Sequence, residues 1–97
     1  MHIIARRTLV EYWSRVPETK SELEAWFSEA EAAHWATPVD VKAKYGNASI
    51  LKDGRVVFNV RGNTYRLIVH IQYQKHIVYI RFIGTHREYD QINANTI

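Results

Sequence analysis

The strict alternation of residues 65–73 constrains this chain more than any other feature. Tyr65, Leu67, Val69, Ile71 and Tyr73 fall on one side of an extended segment, and Arg66, Ile68, His70 and Gln72 on the other. A period of two puts successive side chains on opposite faces, so this segment reads as a half-buried antiparallel strand. Its neighbours fit a meander. Val56–Val60 is β-branched and aromatic, and Ile77–Ile83 is a further apolar run. Turn signals separate these runs: Asp53-Gly54, then Arg61-Gly62-Asn63, then Gln74-Lys75-His76. Asn63 reads as the turn residue suited to a positive φ.

Upstream the period is helical. Leu9, Trp13 and Val16 lie at i, i+4 and i+7, and Pro17 ends or follows that helix. Thr19 with Glu22 fits a capping box, as does Ser21 with Glu24, ahead of a helix with Leu23, Trp26, Phe27 and Ala30 on one face. Thr37-Pro38 places an N-cap before a first-turn proline, which predicts a short helix across Val39–Lys44 stopped by Gly46. After the last strand, Gly84 interrupts and Thr85 can cap a helical turn over residues 86–93. The order predicts an α+β fold in one domain over residues 1–97: N-terminal helices packed on one face of a three- to four-stranded antiparallel sheet, with a short C-terminal helix.

Charge is divided unevenly. Residues 1–37 hold four Lys or Arg against six Glu, while residues 38–97 hold nine against four acids. The resulting +5 on the second half points to an anionic partner, nucleic acid above all, against the plainer reading of a solubilising surface. The chain has no cysteine, which removes disulfides, Cys-ligated zinc and a thiol nucleophile. Its longest stretches free of Lys, Arg, Asp and Glu are Ala32–Val39 and Leu67–Gln74, too short to cross a bilayer, so a soluble cytoplasmic protein is expected with no membrane partner.

With helices on one side, the sheet's other face is expected to be partly open. If Val56, Phe58 and Val60 face the core, Asn59 and Arg61 face away, as do Arg66, Ile68, His70 and Gln72 on the middle strand. On the last strand either Val78, Ile80 and Phe82 or Ile77, Tyr79, Arg81 and Ile83 turn inward. The first choice costs less, because burying an unpaired guanidinium is heavily penalised. Arg61, Arg66 and Arg81 then gather on one face near His70 and Tyr79, forming an anion site suited to phosphate. The bland alternative is arginines that solvate a strand edge. Trp13, Trp26, Trp35 and Phe27 read as core rather than as stacking platforms.

The segment Gly84-Thr85-His86-Arg87-Glu88-Tyr89-Asp90 follows the last strand directly, with His86 and Tyr89 at i and i+3 on one face of a helical turn. Both can move protons. A Tyr89 that packs on the sheet beside a His86 that only caps is the plainer reading.

Taken together, these residues resemble the HigB family of bacterial type II toxins, a branch of the RelE-like messenger-RNA interferases. The resemblance is carried by Val57-Phe58-Asn59-Val60, Gly62-Asn63, Tyr65-Arg66-Leu67-Ile68, Tyr79-Ile80-Arg81-Phe82-Ile83, Gly84-Thr85-His86 and Glu88-Tyr89-Asp90, with Met1-His2-Ile3-Ile4 and the Trp-containing helices. Arg87 departs from it, since members often carry a small residue there.

The resemblance implies a toxin that cleaves messenger RNA, typically on the translating ribosome, without metal or cofactor. It also implies a cognate helix-turn-helix antitoxin (HigA-like) as partner, and no direct DNA binding without that antitoxin. Metal-free cleavage activates the 2′-OH against its phosphorus, so it needs proton-transfer groups and fixed cations. His86 is the leading acid/base candidate, Arg66 the leading phosphate clamp, and Tyr89 and Arg81 complete the expected catalytic set. Arg61, His70, Lys42, Lys44, Lys52 and Asn63 are expected to contact RNA, His70 also serving as reserve acid/base and the lysines as salt-sensitive steering charges. The competing class is a non-catalytic basic domain that binds RNA or the ribosome. A phosphate-binding metabolic enzyme is disfavoured, because no glycine-rich phosphate loop is present.

Overall fold

The alternating segment becomes the central strand of a five-stranded sheet in the computed structural model, which describes residues 1–97. In chain order the strands are β1 (His2–Ile4), β2 (Ser49–Ile50), β3 (Arg55–Val60), β4 (Tyr65–Gln72) and β5 (Ile77–Thr85), arranged β1-β5-β4-β3-β2. Helices α1 (Arg6–Arg15), α2 (Lys20–Ala32) and α3 (Pro38–Lys44) flank the early chain, and α4 (His86–Tyr89) follows β5. The α+β class is as expected, but the sheet is larger and mixed. β1 runs parallel to β5, with His2 opposite Ile77 and Ile4 opposite Tyr79. Strands of three and two residues are too short to show a period in sequence.

The helices largely follow their apolar spacing. α1 buries Leu9, Tyr12 and Trp13, and α2 buries Leu23, Trp26 and Ala30. Pro17 opens a 3-10 turn (Pro17–Thr19) between them. The expected box at Thr19 and Glu22 does not form. Thr19 has helical backbone angles and its hydroxyl donates to the Val16 carbonyl at 2.8 Å, while Glu22 accepts the Arg61 N–H at 3.0 Å. At α3 the N-terminus is capped as its sequence requires. The Asp40 carboxylate accepts N–H groups from Ala36 at 2.8 Å and Thr37 at 3.1 Å, satisfying donors that the helix leaves free.

One core of 18 buried residues joins the helices to a single sheet face, including Leu9, Leu23, Trp26, Val56, Leu67 and Val78. Phe58 lies at its centre, with ring centroids 5.4 Å from Trp26 and 5.0 Å from Tyr45. All three tryptophans are buried, and Phe27 packs partly buried beside them.

β5 departs from simple alternation. Ile68 lies opposite Phe82 and Val69 opposite Ile80, so Arg81 is an extra residue in a β-bulge. Val78 and Ile80 turn toward the helices as expected. Phe82 does not, because the bulge reverses the alternation after it; it joins Val57 and Ile68 on the other face. That face is also less open than expected. The chain after α4 folds back across it, and Ala94 with Tyr89, Ile92 and Ile97 forms a second small core there. No helix is long and apolar enough to cross a membrane.

Candidate active site

The β3–β4 turn and the β5–α4 junction meet at one end of the sheet. Arg66 leads from the turn into β4, opposite Asn59 on β3 and Gly84 on β5. The positive φ values of that turn belong to Arg61 and Gly62, not to Asn63. Asn63 instead holds Arg66: its side-chain oxygen accepts from Nη2 at 2.5 Å and its carbonyl from Nη1 at 3.2 Å. The guanidinium so fixed lies 5.6 Å from the centroid of the Tyr89 ring, a cation–π distance.

Thr85 and Glu88 fix α4. The Thr85 hydroxyl oxygen accepts the Glu88 N–H at 3.1 Å, and the Glu88 carboxylate accepts the Thr85 N–H at 2.8 Å. His86 is tied to the neighbouring turn by its own N–H, which donates to the Thr64 carbonyl at 2.9 Å. Gly84 leaves room for this closure: a Cβ there would stand 2.6 Å from Phe82 Cζ and 2.8 Å from Glu88 Oε1.

His86 and Tyr89 share one side of the helical turn, their ring centroids 6.3 Å apart. His86 Nδ1 lies 3.1 Å from Asp90 Oδ2, one turn further on. A carboxylate at Nδ1 stabilises the tautomer with its proton there, which leaves Nε2 as the basic nitrogen. Asp90 is not among the residues expected at the site, although its i+4 spacing from His86 carries the signal. Arg66, Tyr89, His86 and Asp90 therefore form one connected group that combines a fixed cation with an oriented imidazole and a phenol.

The remaining expected residues lie elsewhere. Arg61 faces the helical side: its guanidinium pairs with Glu18 at 3.2 Å and its N–H with Glu22. Its left-handed backbone takes it out of the β3 alternation, so the expected gathering of three arginines does not occur. Arg81, the exposed bulge residue, donates through Nε to a main-chain oxygen of Ile97 at 3.4 Å, an oxygen that Arg55 also engages. It therefore stands beside Arg55 rather than Arg66. His70 stacks on Tyr79 at 6.2 Å, four residues along β4 from Arg66, or roughly 13 Å at the rise of a strand. Lys42 donates to the Ala48 carbonyl at 2.5 Å. Lys44 lines a hollow of about 310 Å³ with Glu22, Asn47 and Asn59. Lys52 lies in the 3-10 turn (Lys52–Gly54) at the end of β3 away from Asn63.

Two phenols lie on the helical side beneath this junction. Tyr65 is opposite Thr85, and its ring meets that of Tyr12 edge-on at 6.2 Å. Burial raises both above the ordinary phenol range, with the Glu88 carboxylate adding to the effect on Tyr12 and Glu18 to that on Tyr65. Both stay protonated near neutral pH, so neither serves as the site's base.

Comparison with known proteins adds the following. A family described as HigB toxin, the RelE-like toxic component of a toxin-antitoxin system, matches residues 19–92. The chain is 31% identical over 96 residues to the mRNA interferase toxin HigB of Escherichia coli strain K12, covering 97% of this chain and 92% of that protein. The mRNA interferase HigB of Shigella flexneri matches with the same identity and coverage.

Proposed function

The chain belongs to the HigB family of RelE-like toxins, and we propose that it is the toxin of a type II toxin–antitoxin system that cuts messenger RNA on the translating ribosome. In this reading a helix-turn-helix antitoxin of the HigA kind holds it inactive. The grouping of Arg66, Tyr89, His86 and Asp90 is the observation that carries the proposal. Binding RNA requires cations and aromatic surface alone, whereas an imidazole held by a carboxylate serves proton transfer.

The chemistry follows from the groups. His86 accepts the 2′-OH proton at Nε2, and Asp90 compensates the positive charge that the imidazole acquires. The 2′-oxygen forms its bond to the adjacent phosphorus while the bond to the 5′-oxygen breaks. Arg66, held as a planar fork by Asn63, neutralises the charge that builds on the phosphorane oxygens. In-line attack places the incoming and departing oxygens on opposite sides of phosphorus, so a second group must protonate the 5′-oxygen. Tyr89 takes that role, and its 6.3 Å separation from His86 lets the two side chains flank one phosphate. The products are a 2′,3′-cyclic phosphate and a 5′-hydroxyl. Every step uses groups of the chain itself, so no metal is invoked.

The test is cleavage of a defined message on programmed ribosomes, with mapping of the new 5′ ends. Wild-type protein gives discrete cuts, and Arg66→Ala or His86→Ala removes them. Ribosome or RNA binding with no cut ends would instead favour a non-catalytic binding domain.

A further inference from the structure

β3 loses its outer neighbour partway along. β2 pairs only with Val56 and Val57, so the outer edge of residues 58–60 has no strand beside it. The chain leading into β2 draws away there, and a hollow of about 310 Å³ opens between residues 46–48, β3 and α2. Asn59 spans the gap with one long hydrogen bond, its Nδ2 donating to the Asn47 carbonyl at 3.4 Å. The rings of Phe58 and Tyr45, which meet edge-on at 5.0 Å, give the hollow an apolar wall.

This hollow lies at the sheet edge, toward the helices, and not upon the open face. It is nonetheless close to the candidate active site. Asn59 stands directly opposite Arg66, and Gly62 belongs to the turn whose Asn63 holds Arg66. Opposed Cα atoms of an antiparallel ladder are about 5 Å apart, so a phosphate at Arg66 brings a flanking base within reach of the hollow.

The lining carries groups of both signs. Lys44 has no carboxylate partner, because the ion pairs of the chain are Arg7–Glu11, Arg61–Glu18 and His86–Asp90. Glu22 engages the Arg61 N–H through Oε2 at 3.0 Å, which leaves Oε1 without a partner. A smaller hollow of about 110 Å³ continues inward past Glu22 and Phe58, and it is lined by Trp26, whose buried indole N–H is also unpartnered. Guanine answers this pattern. Its O6 and N7 accept from a lysine, and its N1–H and N2–H groups donate to a carboxylate. Adenine and cytosine offer one exocyclic amine each, and uracil offers none. A protein strand laid along this edge would find only three residues of free main chain to pair with.

We propose that the hollow is a base pocket that takes a guanine flanking the scissile phosphate, with Glu22 accepting from N1–H and N2–H and Lys44 donating to O6 and N7. The proposal rests on the reading of RNA as substrate and deepens it, since it makes Glu22 and Lys44 the residues that choose where the message is cut. Neither takes part in bond breaking.

The experiment uses programmed ribosomes carrying messages that differ only in the nucleotide before or after the cut, placed in turn as guanosine, inosine, adenosine, cytidine and uridine. Wild-type protein cuts the guanosine message about tenfold faster than the adenosine one, the scale of one good base-reading contact. Inosine lacks the 2-amino group and falls between them. In Glu22→Gln the guanosine-to-adenosine ratio drops toward one and inosine is cut as fast as guanosine. Lys44→Gln lowers the same ratio and serves if Glu22→Gln disturbs the β3–β4 turn. A loss of folded protein slows every message alike and leaves the ratio unchanged. A wild type that cuts every message at one rate overturns the pocket. So does a guanosine preference that both variants retain, which would leave the hollow to a protein segment. Absence of cuts in every message is a different failure, that of the functional reading itself, and the pocket falls with it.

Discussion

The Arg66 guanidinium lies 5.6 Å from the Tyr89 ring centroid while its fork is held by Asn63. Turn and helix thus fix the same cation from two sides. Replacing Arg66 by Ala should lower cleavage about 10²–10³-fold, the scale of removing one preorganised transition-state interaction. Arg66→Lys should recover only a fraction, since an ammonium cannot hold Asn63 and present a planar fork together. Rates on programmed ribosomes measure both, and near-wild-type activity in Arg66→Ala would remove the clamp from the mechanism.

In the proposed mechanism Asp90 acts only through His86, so variants of the two residues should differ. His86→Ala should lose about 10²–10⁴-fold in cleavage, the usual share of acid–base catalysis. Asp90→Asn should lose less, because the imidazole remains but is no longer held by a carboxylate at Nδ1. A pH–rate profile is the discriminating readout. If Asp90→Asn leaves both its rate and its shape unchanged, the carboxylate has no part in proton transfer.

At Gly84 a single methyl group should disturb the candidate site directly. The Cβ of Gly84→Ala would meet Phe82 and the Glu88 carboxylate well inside normal van der Waals separation, so the second core and the α4 cap must both shift. The expected cost is about 1–3 kcal/mol in denaturant unfolding, with cleavage reduced alongside. A variant as stable as wild type would show that the junction yields freely.

Arg61 separates the observed geometry from the arrangement that alternation alone suggests. Its ion pair with Glu18 is about half exposed, 51% for each side chain, so Arg61→Ala should cost no more than about 1 kcal/mol. Cleavage should change less than about twofold. A reduction as large as that of Arg66→Ala would place this guanidinium on the RNA after all.

Alkaline pH should weaken the fold through its tyrosines. Burial, followed by the hydrogen bond to Glu29, raises the Tyr45 phenol well above its ordinary value of 10.0, and burial raises Tyr12, Tyr65 and Tyr73 as well. The folded chain prefers each of them protonated. Their contribution is complete below about pH 10 and is lost as pH rises through the higher folded-state values. Tm should therefore fall above pH 10, and less steeply in Tyr45→Phe; an identical slope in that variant would exclude Tyr45 as a source.

How far the sequence discloses this arrangement depends on how regular each element is. β4 is legible because its alternation runs unbroken from Tyr65 to Gln72, and α1 and α2 because their apolar residues recur at helical spacing. β5 is legible only as far as Ile80. A bulge adds a residue without changing composition, so nothing in the string marks Phe82 as facing the other way. Arg61 misleads for a related reason, since arginine gives no sign of a left-handed backbone. The proximity of His86, Tyr89 and Arg66 follows from short-range spacing and strand parity, while Asp90 needs only the next helical step. The separation of Arg55 and Arg81 from that group depends on where the tail folds back, and long-range packing of that kind has no local signature.

The surplus residue at Arg81 also sets the phase of all that comes after it. Were Arg81 instead taken into the ladder, Phe82 would swing toward the tryptophans, Gly84 would leave its place across from Arg66, and the His86 imidazole would stand half a pleat out of step. The geometry of the candidate site is thus inherited from an irregularity several residues upstream.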